Sequence, residues 1–165
     1  LFVIFDFSAG SVRCRIYEEW VPRTVDHFVG LARGRIGWRF QGKPTQRPLY
    51  DGLTVHRVEP GLWIQGGDPT DTGSGRLGFK FDADADPRLR FNQPGVLGLV
   101  QPWKGAAGSQ FFITLAALPA LDGRYPVFGL CDNLDVLQRI ATSPTLPGTQ
   151  RPATPILIEQ LRFER

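Results

Sequence analysis

The chain has no methionine and only two cysteines, Cys14 and Cys131, with no CxxC pair. Two cysteines cannot build the multi-bridge frame of a small secreted domain. Cys14 alternates with Val12 and Ile16 and reads as a small core hydrophobe, with a single disulfide left open. Histidine is equally sparse: His27 and His56 lie far apart, and no metal-ligand spacing emerges. No apolar run approaches the roughly 18 residues that a membrane-spanning helix needs. Charge is not concentrated either. The formal value is +3, and arginines 13, 15, 33, 35, 88 and 90 are scattered. A nucleic-acid binder usually shows a basic stripe, so neither nucleic acid nor membrane is expected as a partner. A cytoplasmic location is favoured; because the chain begins at Leu1 and the native start is missing, a periplasmic or secreted one stays open.

What the chain does have is glycine and proline, 19 and 14 of its 165 residues, within a 42% hydrophobic composition. That combination asks for many turns yet contains too much apolar surface for disorder. Short strands fit better than a helical bundle. Residues 1–7 and 11–17 read as a hairpin about Ser8-Ala9-Gly10. Pro22 suits the first position of a helix, whose apolar face is Val25, Phe28, Val29 and Ala32 and which ends near Gly34. Residues 35–52 form a long loop or small hairpin. Apolar runs at 53–58, 62–65, 95–100, 110–115 and 126–131 are bounded by turn residues and read as strands. A second helix covers 133–142 with Asp132 or Asn133 as its N-cap, and 156–163 is a last strand. A mainly β fold follows, a closed eight-stranded antiparallel barrel capped by two α-helices, in a single domain of residues 1–165.

Several motifs lead nowhere. Gly73-Ser74-Gly75-Arg76-Leu77-Gly78 fits G-x-G-x-x-G but is not followed by a helix, as a dinucleotide site requires. Asp82, Asp84 and Asp86 begin like a calcium loop, yet Pro87 and Gln93 stand where Gly and Glu are needed. His27 has a surface or packing role on the first helix. His56 and Arg57, adjacent on a strand, point to opposite faces. Ser109 has neither the G-x-S-x-G context nor a catalytic partner set. No metal and no cofactor is implied.

Two blocks are more specific. The run Tyr50-Asp51-Gly52-Leu53-Thr54-Val55-His56-Arg57-Val58-Glu59-Pro60-Gly61-Leu62-Trp63-Ile64-Gln65-Gly66-Gly67-Asp68 resembles the Y-x-G-x-x-F-H-R-x-x-x-G-F-x-x-Q-G-G-D signature of cyclophilins. Gly108-Ser109-Gln110-Phe111-Phe112-Ile113-Thr114, then Leu121-Asp122-Gly123 and Val127-Phe128-Gly129, resemble that family's later blocks in order and spacing. The Tyr-Pro-Val-Phe-Gly form and the 35–50 insertion look more like bacterial than animal cytosolic members. The resemblance implies a cyclophilin-like barrel and peptidyl-prolyl cis–trans isomerase activity on proline-containing peptides and on unfolded or flexible protein segments, by a monomer. It makes Arg57 the catalytic arginine, Gln65 its polar partner and Phe112 the floor of a proline pocket. Leu62, Trp63, Val100, Gln101, Pro102, Gln110, Leu121 and Tyr125 are the implied substrate-binding residues.

The residues suit that chemistry. Rotation about an X–Pro bond breaks amide conjugation but cleaves nothing, so no nucleophile is needed. An apolar slot for the ring helps, as does a cation where the twisted amide gains charge density. The chain also departs from the family pattern. Leu62 replaces a pocket phenylalanine, Trp63 a smaller apolar residue, and Val100-Gln101-Pro102 the common Ala-Asn-Ala. Ala120 stands where many eukaryotic members carry a tryptophan tied to cyclosporin binding, so weak cyclosporin affinity is expected. These changes give weight to an alternative, a low-activity proline-peptide binding module or chaperone on the same fold.

Overall fold

The computed structural model describes residues 1–78, 81–100 and 108–165. The opening hairpin is present as β1 (Phe2–Phe7) and β2 (Gly10–Ile16), followed by α1 (Pro22–Ala32). The 35–52 segment holds a small hairpin, β3 (Trp38–Phe40) and β4 (Lys43–Thr45). Then come β5 (Arg57–Glu59), β6 (Trp63–Gly66), β7 (Val96–Leu99), β8 (Phe111–Thr114) and β9 (Val127–Cys131). Helix α2 (Leu134–Ala141) and β10 (Ile158–Glu164) complete the chain.

Eight strands form one antiparallel sheet in the order β10-β1-β2-β9-β7-β8-β6-β5. The two edges meet just before β5 and β10. Val55 N–H donates to the Ile156 carbonyl, Gly52 N–H to that of Ile158, and Ile158 N–H to that of Leu53, about a bridge between Thr54 and Leu157. Closure therefore runs through a short seam outside the main ladders. This is also why only the end of the expected 53–58 strand pairs with β6: its first half pairs across the seam instead.

The interior is apolar and aromatic. Phe5, Phe28, Phe111 and Phe128 are fully buried, with ring centroids 4.9 Å apart for Phe5–Phe111 and 5.1 Å for Phe28–Phe128. The predicted stripe of α1, Val25, Phe28, Val29 and Ala32, is buried against them. Val21, the N-cap residue of α1, has no side-chain cap bond. The cap comes from elsewhere: the Asp84 carboxylate accepts from the backbone N–H groups of Arg23 and Thr24 and from the Thr24 hydroxyl. The acidic run is thus partly a remote helix cap. Asn133 occupies the N-cap position of α2 with a left-handed backbone, but its side chain donates to the Ser11 carbonyl and does not cap.

The open question about the cysteines is settled. Cys14 and Cys131 are joined by a disulfide across directly opposed positions of β2 and β9. Cys14 is buried as expected, but as half of a bridge.

Candidate active site

Strand register assembles a row of side chains on the outer face of the sheet. Arg57 lies opposite Gln65, Gln65 opposite Phe112, and Phe112 opposite Gly98. One step along, Glu59 lies opposite Trp63 and Trp63 opposite Thr114. Because alternate residues share a face, Arg57, Glu59, Trp63, Gln65 and Phe112 all project from the same side of β5, β6 and β8. The intervening Val58, Ile64, Phe111 and Ile113 belong to the interior core.

Phe112 is the centre of a second apolar cluster, with Phe91, Val96 and Val127 buried beside it and Trp63, Val100, Leu121 and Tyr125 packed around them. Its ring stacks on Phe91 at 5.3 Å and meets the edges of Tyr125 at 5.5 Å and Trp63 at 6.4 Å. Gly98 makes this seat possible, since a Cβ there would lie 2.6 Å from Phe112 Cζ. A groove of about 450 Å³ adjoins through Tyr125 and Val127, between residues 83–90 and 122–127.

The polar edge is held by a network. Arg57 donates to Glu59 Oε1 from Nε at 3.2 Å and from Nη2 at 2.9 Å, and its Cζ lies 5.3 Å from the Trp63 ring centroid. The Trp63 indole N–H donates to Gln65 Oε1 at 3.3 Å. Gln65 Nε2 donates to Gln110 Oε1 at 3.1 Å, and Gln110 Nε2 to the Gly73 carbonyl at 2.9 Å. The Gln110 carbonyl also accepts from Val100 N–H.

The glycine-rich 73–78 loop therefore has a job other than nucleotide binding. Asp68 ties it down by accepting from the backbone N–H groups of Thr70 and Gly75. Burial opposes ionisation of Asp68, yet these bonds hold its carboxyl below the usual range. Gly67, with φ of +92°, turns the chain out of β6 beneath Ser109, whose hydroxyl donates to the Gly67 carbonyl. The Tyr50 hydroxyl donates to the Ser109 carbonyl. Ser109 is a strap between strands and not a nucleophile.

His56 points away from Arg57, as alternation predicts. It is buried, and its ring nitrogens have no hydrogen-bond partner among the described residues. Burial pushes its pKa down, so the ring is neutral. His27 is buried as well, with its ring stacked on Phe81 at 3.8 Å and Nε2 3.2 Å from the Gly108 carbonyl. Its role is packing. Among the described residues no group of His, Cys, Asp and Glu side chains is placed to hold a metal.

The structure thus gathers Arg57, Trp63, Val100, Gln65, Gln110, Phe112, Leu121 and Tyr125. Leu62 stands apart: it sits in the β5–β6 turn, its N–H donating to the Glu59 carbonyl, and is 40% exposed. Strand alternation starts at Trp63, so the indole and not Leu62 forms the wall beside Phe112. Gln101 and Pro102 lie outside the described residues. Sequence reasoning missed Phe91, Gly98 and Glu59. Only Glu59 had a visible signal, its two-residue spacing from Arg57.

The chain is an antiparallel eight-stranded barrel with two helices, bearing an aromatic slot edged by arginine and glutamine on its outer face. Comparison with known proteins gives this fold and site their family. The model for "Cyclophilin type peptidyl-prolyl cis-trans isomerase/CLD" matches residues 2–163. The chain is 40% identical over 160 residues to a probable peptidyl-prolyl cis-trans isomerase A of Mycobacterium leprae, covering 93% of this chain and 87% of that protein. It is 36% identical to peptidyl-prolyl cis-trans isomerase B of Streptomyces anulatus, over 99% and 97% of the two chains. Among solved structures, a Cryptosporidium parvum cyclophilin type isomerase, crystallised in the presence of the dipeptide Ala-Pro, superposes with a TM-score of 0.85 at 27% identity, covering 100% of this chain and 99% of that one. The chain belongs to the cyclophilin family of peptidyl-prolyl cis–trans isomerases.

Proposed function

We propose that this isomerase works by electrostatic stabilisation of a twisted X–Pro amide, with Arg57 as the cation, Gln65 as its polar partner and Phe112 as the floor beneath the proline ring. The observation that carries the reading is the single register row Arg57–Gln65–Phe112, which sets a charge, an amide and an aromatic surface side by side. The barrier to rotation is about 18–20 kcal/mol because conjugation is lost. As the nitrogen pyramidalises it becomes a better hydrogen-bond acceptor, and an N–H of Arg57 beside it is favoured in the twisted state more than in either planar one. The Phe112 slot holds the ring while the rest of the peptide turns.

Trp63, Val100, Gln110, Leu121 and Tyr125 complete the peptide site in this reading. The clients are proline-containing peptides and flexible or unfolded protein segments, met by a monomeric domain in which a short seam joins the two edge strands of the sheet to each other. Ala120, exposed on the short 3-10 turn Pro119–Leu121, offers neither an indole surface nor its N–H. Cyclosporin binding is therefore weak, and a submicromolar dissociation constant by calorimetry would contradict this. The buried Cys14–Cys131 bridge moves the favoured location from the cytoplasm to an oxidising compartment, where such bridges persist.

The exposed position of Leu62 favours the second reading, a binding module that turns over slowly. One assay decides. Exchange spectroscopy on an Ala-Pro peptide shows fast isomerisation that Arg57→Ala reduces by about two orders of magnitude, the scale of a lost transition-state donor. Normal peptide binding without a rate gain selects the module.

A further inference from the structure

Both polar groups of the proposed site are held by residues that a proline slot does not itself require. Arg57 and Glu59 are separated by one residue on β5 and share its outer face, and among the described residues Glu59 is the one hydrogen-bond partner of the guanidinium. Glu59 takes the Nε–H and one N–H of Nη2 onto a single oxygen. Three of the five guanidinium N–H bonds are left for a substrate. The Trp63 ring lies against the same guanidinium. A long side chain that would otherwise sample many rotamers is therefore restrained from two directions before substrate arrives.

Gln65 is restrained differently. Its amide is the second link of a directed chain, Trp63 to Gln65 to Gln110 to the Gly73 carbonyl. An indole N–H can only donate and a backbone carbonyl can only accept. With both ends fixed in role, neither glutamine amide can flip without breaking two bonds. Gln65 Oε1 must face the indole and Nε2 must face Gln110. The orientation is set by Trp63 at one end and by the Asp68-anchored glycine loop at the other.

We propose that Glu59 and Trp63 are positioning residues of the isomerase: Glu59 fixes the direction of Arg57, and Trp63 fixes both Arg57, through its ring face, and the Gln65 amide, through its N–H. This rests on the reading of Arg57 and Gln65 as the polar groups that meet the substrate. An ion pair at the surface, half-buried and open to solvent on its Arg57 side, contributes modestly to folding. Its effect is on the geometry of the reacting groups, where small misplacements are costly.

The test is the full chain acting on an Ala-Pro peptide, with kcat and KM resolved by exchange spectroscopy. Trp63→Phe keeps a smaller aromatic wall and removes the N–H; kcat falls about fivefold while KM stays within about twofold. Glu59→Ala lowers kcat by up to about fivefold, and Glu59→Gln, which keeps an oxygen acceptor, recovers part of the loss. In a Gln65→Ala background the N–H has nothing left to orient, so Trp63→Phe causes a clearly smaller loss than in the wild type, only that of the reduced ring face against Arg57. Glu59→Ala and Trp63→Phe at wild-type kcat overturn the proposal, as does a full additional loss in the Gln65→Ala background. Arg57→Ala separates the two levels. If it abolishes the rate while Glu59→Ala and Trp63→Phe do not change it, the positioning role fails alone; if it leaves the rate intact, the reading beneath it fails as well.

Discussion

The inner and outer faces of β6 and β8 are made by the same eight residues, yet they are different materials. Inward, Ile64, Phe111 and Ile113 are fully buried in a continuous apolar core. Outward, Trp63, Gln65 and Phe112 combine rings with directed hydrogen bonds. Interior polar groups act as straps, as with the Tyr50 hydroxyl on the Ser109 carbonyl, and burial pushes the Tyr50 phenol far up so that it stays neutral. A period of two lets one strand pair serve stability on one side and, in the proposed reading, chemistry on the other. Substitutions on the two faces should therefore separate in what they damage.

The sharpest pair is Phe111 and Phe112, neighbours in sequence on opposite faces. Phe111→Ala empties the space between Phe5 and Tyr50 and costs about 3–5 kcal/mol of stability, while the rate per folded molecule stays close to wild type. Phe112→Ala removes the slot floor. Its neighbours Trp63 and Tyr125 are partly exposed and can settle inward, so stability falls less and the rate falls far more. Denaturant melts paired with exchange rates read both quantities. Equal stability losses, or a Phe111 variant that is stable but slow, would break the comparison.

The disulfide tests the inner face without touching the slot. It closes a loop with a sequence separation of 117, and its loss costs about 2–5 kcal/mol in the usual range for native bridges. Both cysteines pack with the interior cluster and neither with the Phe112 cluster. Reduction, or Cys14→Ser with Cys131→Ser, is expected to lower the melting temperature and leave kcat unchanged. A drop in kcat at temperatures where the reduced protein is folded would show the faces to be coupled. Alkylation and mass measurement of protein taken from cells checks the proposed oxidising location directly: free thiols there contradict it.

Local patterns were legible in the sequence, and long-range pairings were not. The stripe Val25, Phe28, Val29 and Ala32 and the alternation of the strands depend on neighbours a few residues away. The row Arg57–Gln65 sits within one hairpin, and its motif exposes it. Gly98 and Phe91 reach Phe112 only through pairings and packing set across distant segments, which no local spacing encodes. The same holds for Cys14 with Cys131 and for Asp84 beneath α1. Leu62 and Trp63 both read from sequence as lining the peptide site, and the boundary between turn and strand, which local spacing does not fix, decides which of the two begins the alternation beside Phe112.

Asp84 gives the smallest and most specific expectation, on a helix that belongs to the inner face. Burial opposes ionisation of its carboxyl, but the Thr24 hydroxyl and the backbone N–H groups of Thr24 and Arg23 favour the charged form more, and the pKa lies below the usual carboxylate value. The unfolded chain then binds a proton at higher pH than the folded one. Stability from this cap is complete above the ordinary carboxylate range and is lost as pH falls through the lower, folded value. Asp84→Ala is expected to cost about 1 kcal/mol at neutral pH, typical of a lost N-cap, and to narrow its gap to wild type as the medium is acidified. Thermal melts from pH 7 to pH 3 measure that gap. Because α1 buries Phe28 against Tyr50 and Phe128 and contributes no side chain to the Phe112 cluster, kcat should not follow the change. A gap that widened on acidification would show that the Asp84 carboxylate is not the stabilising form.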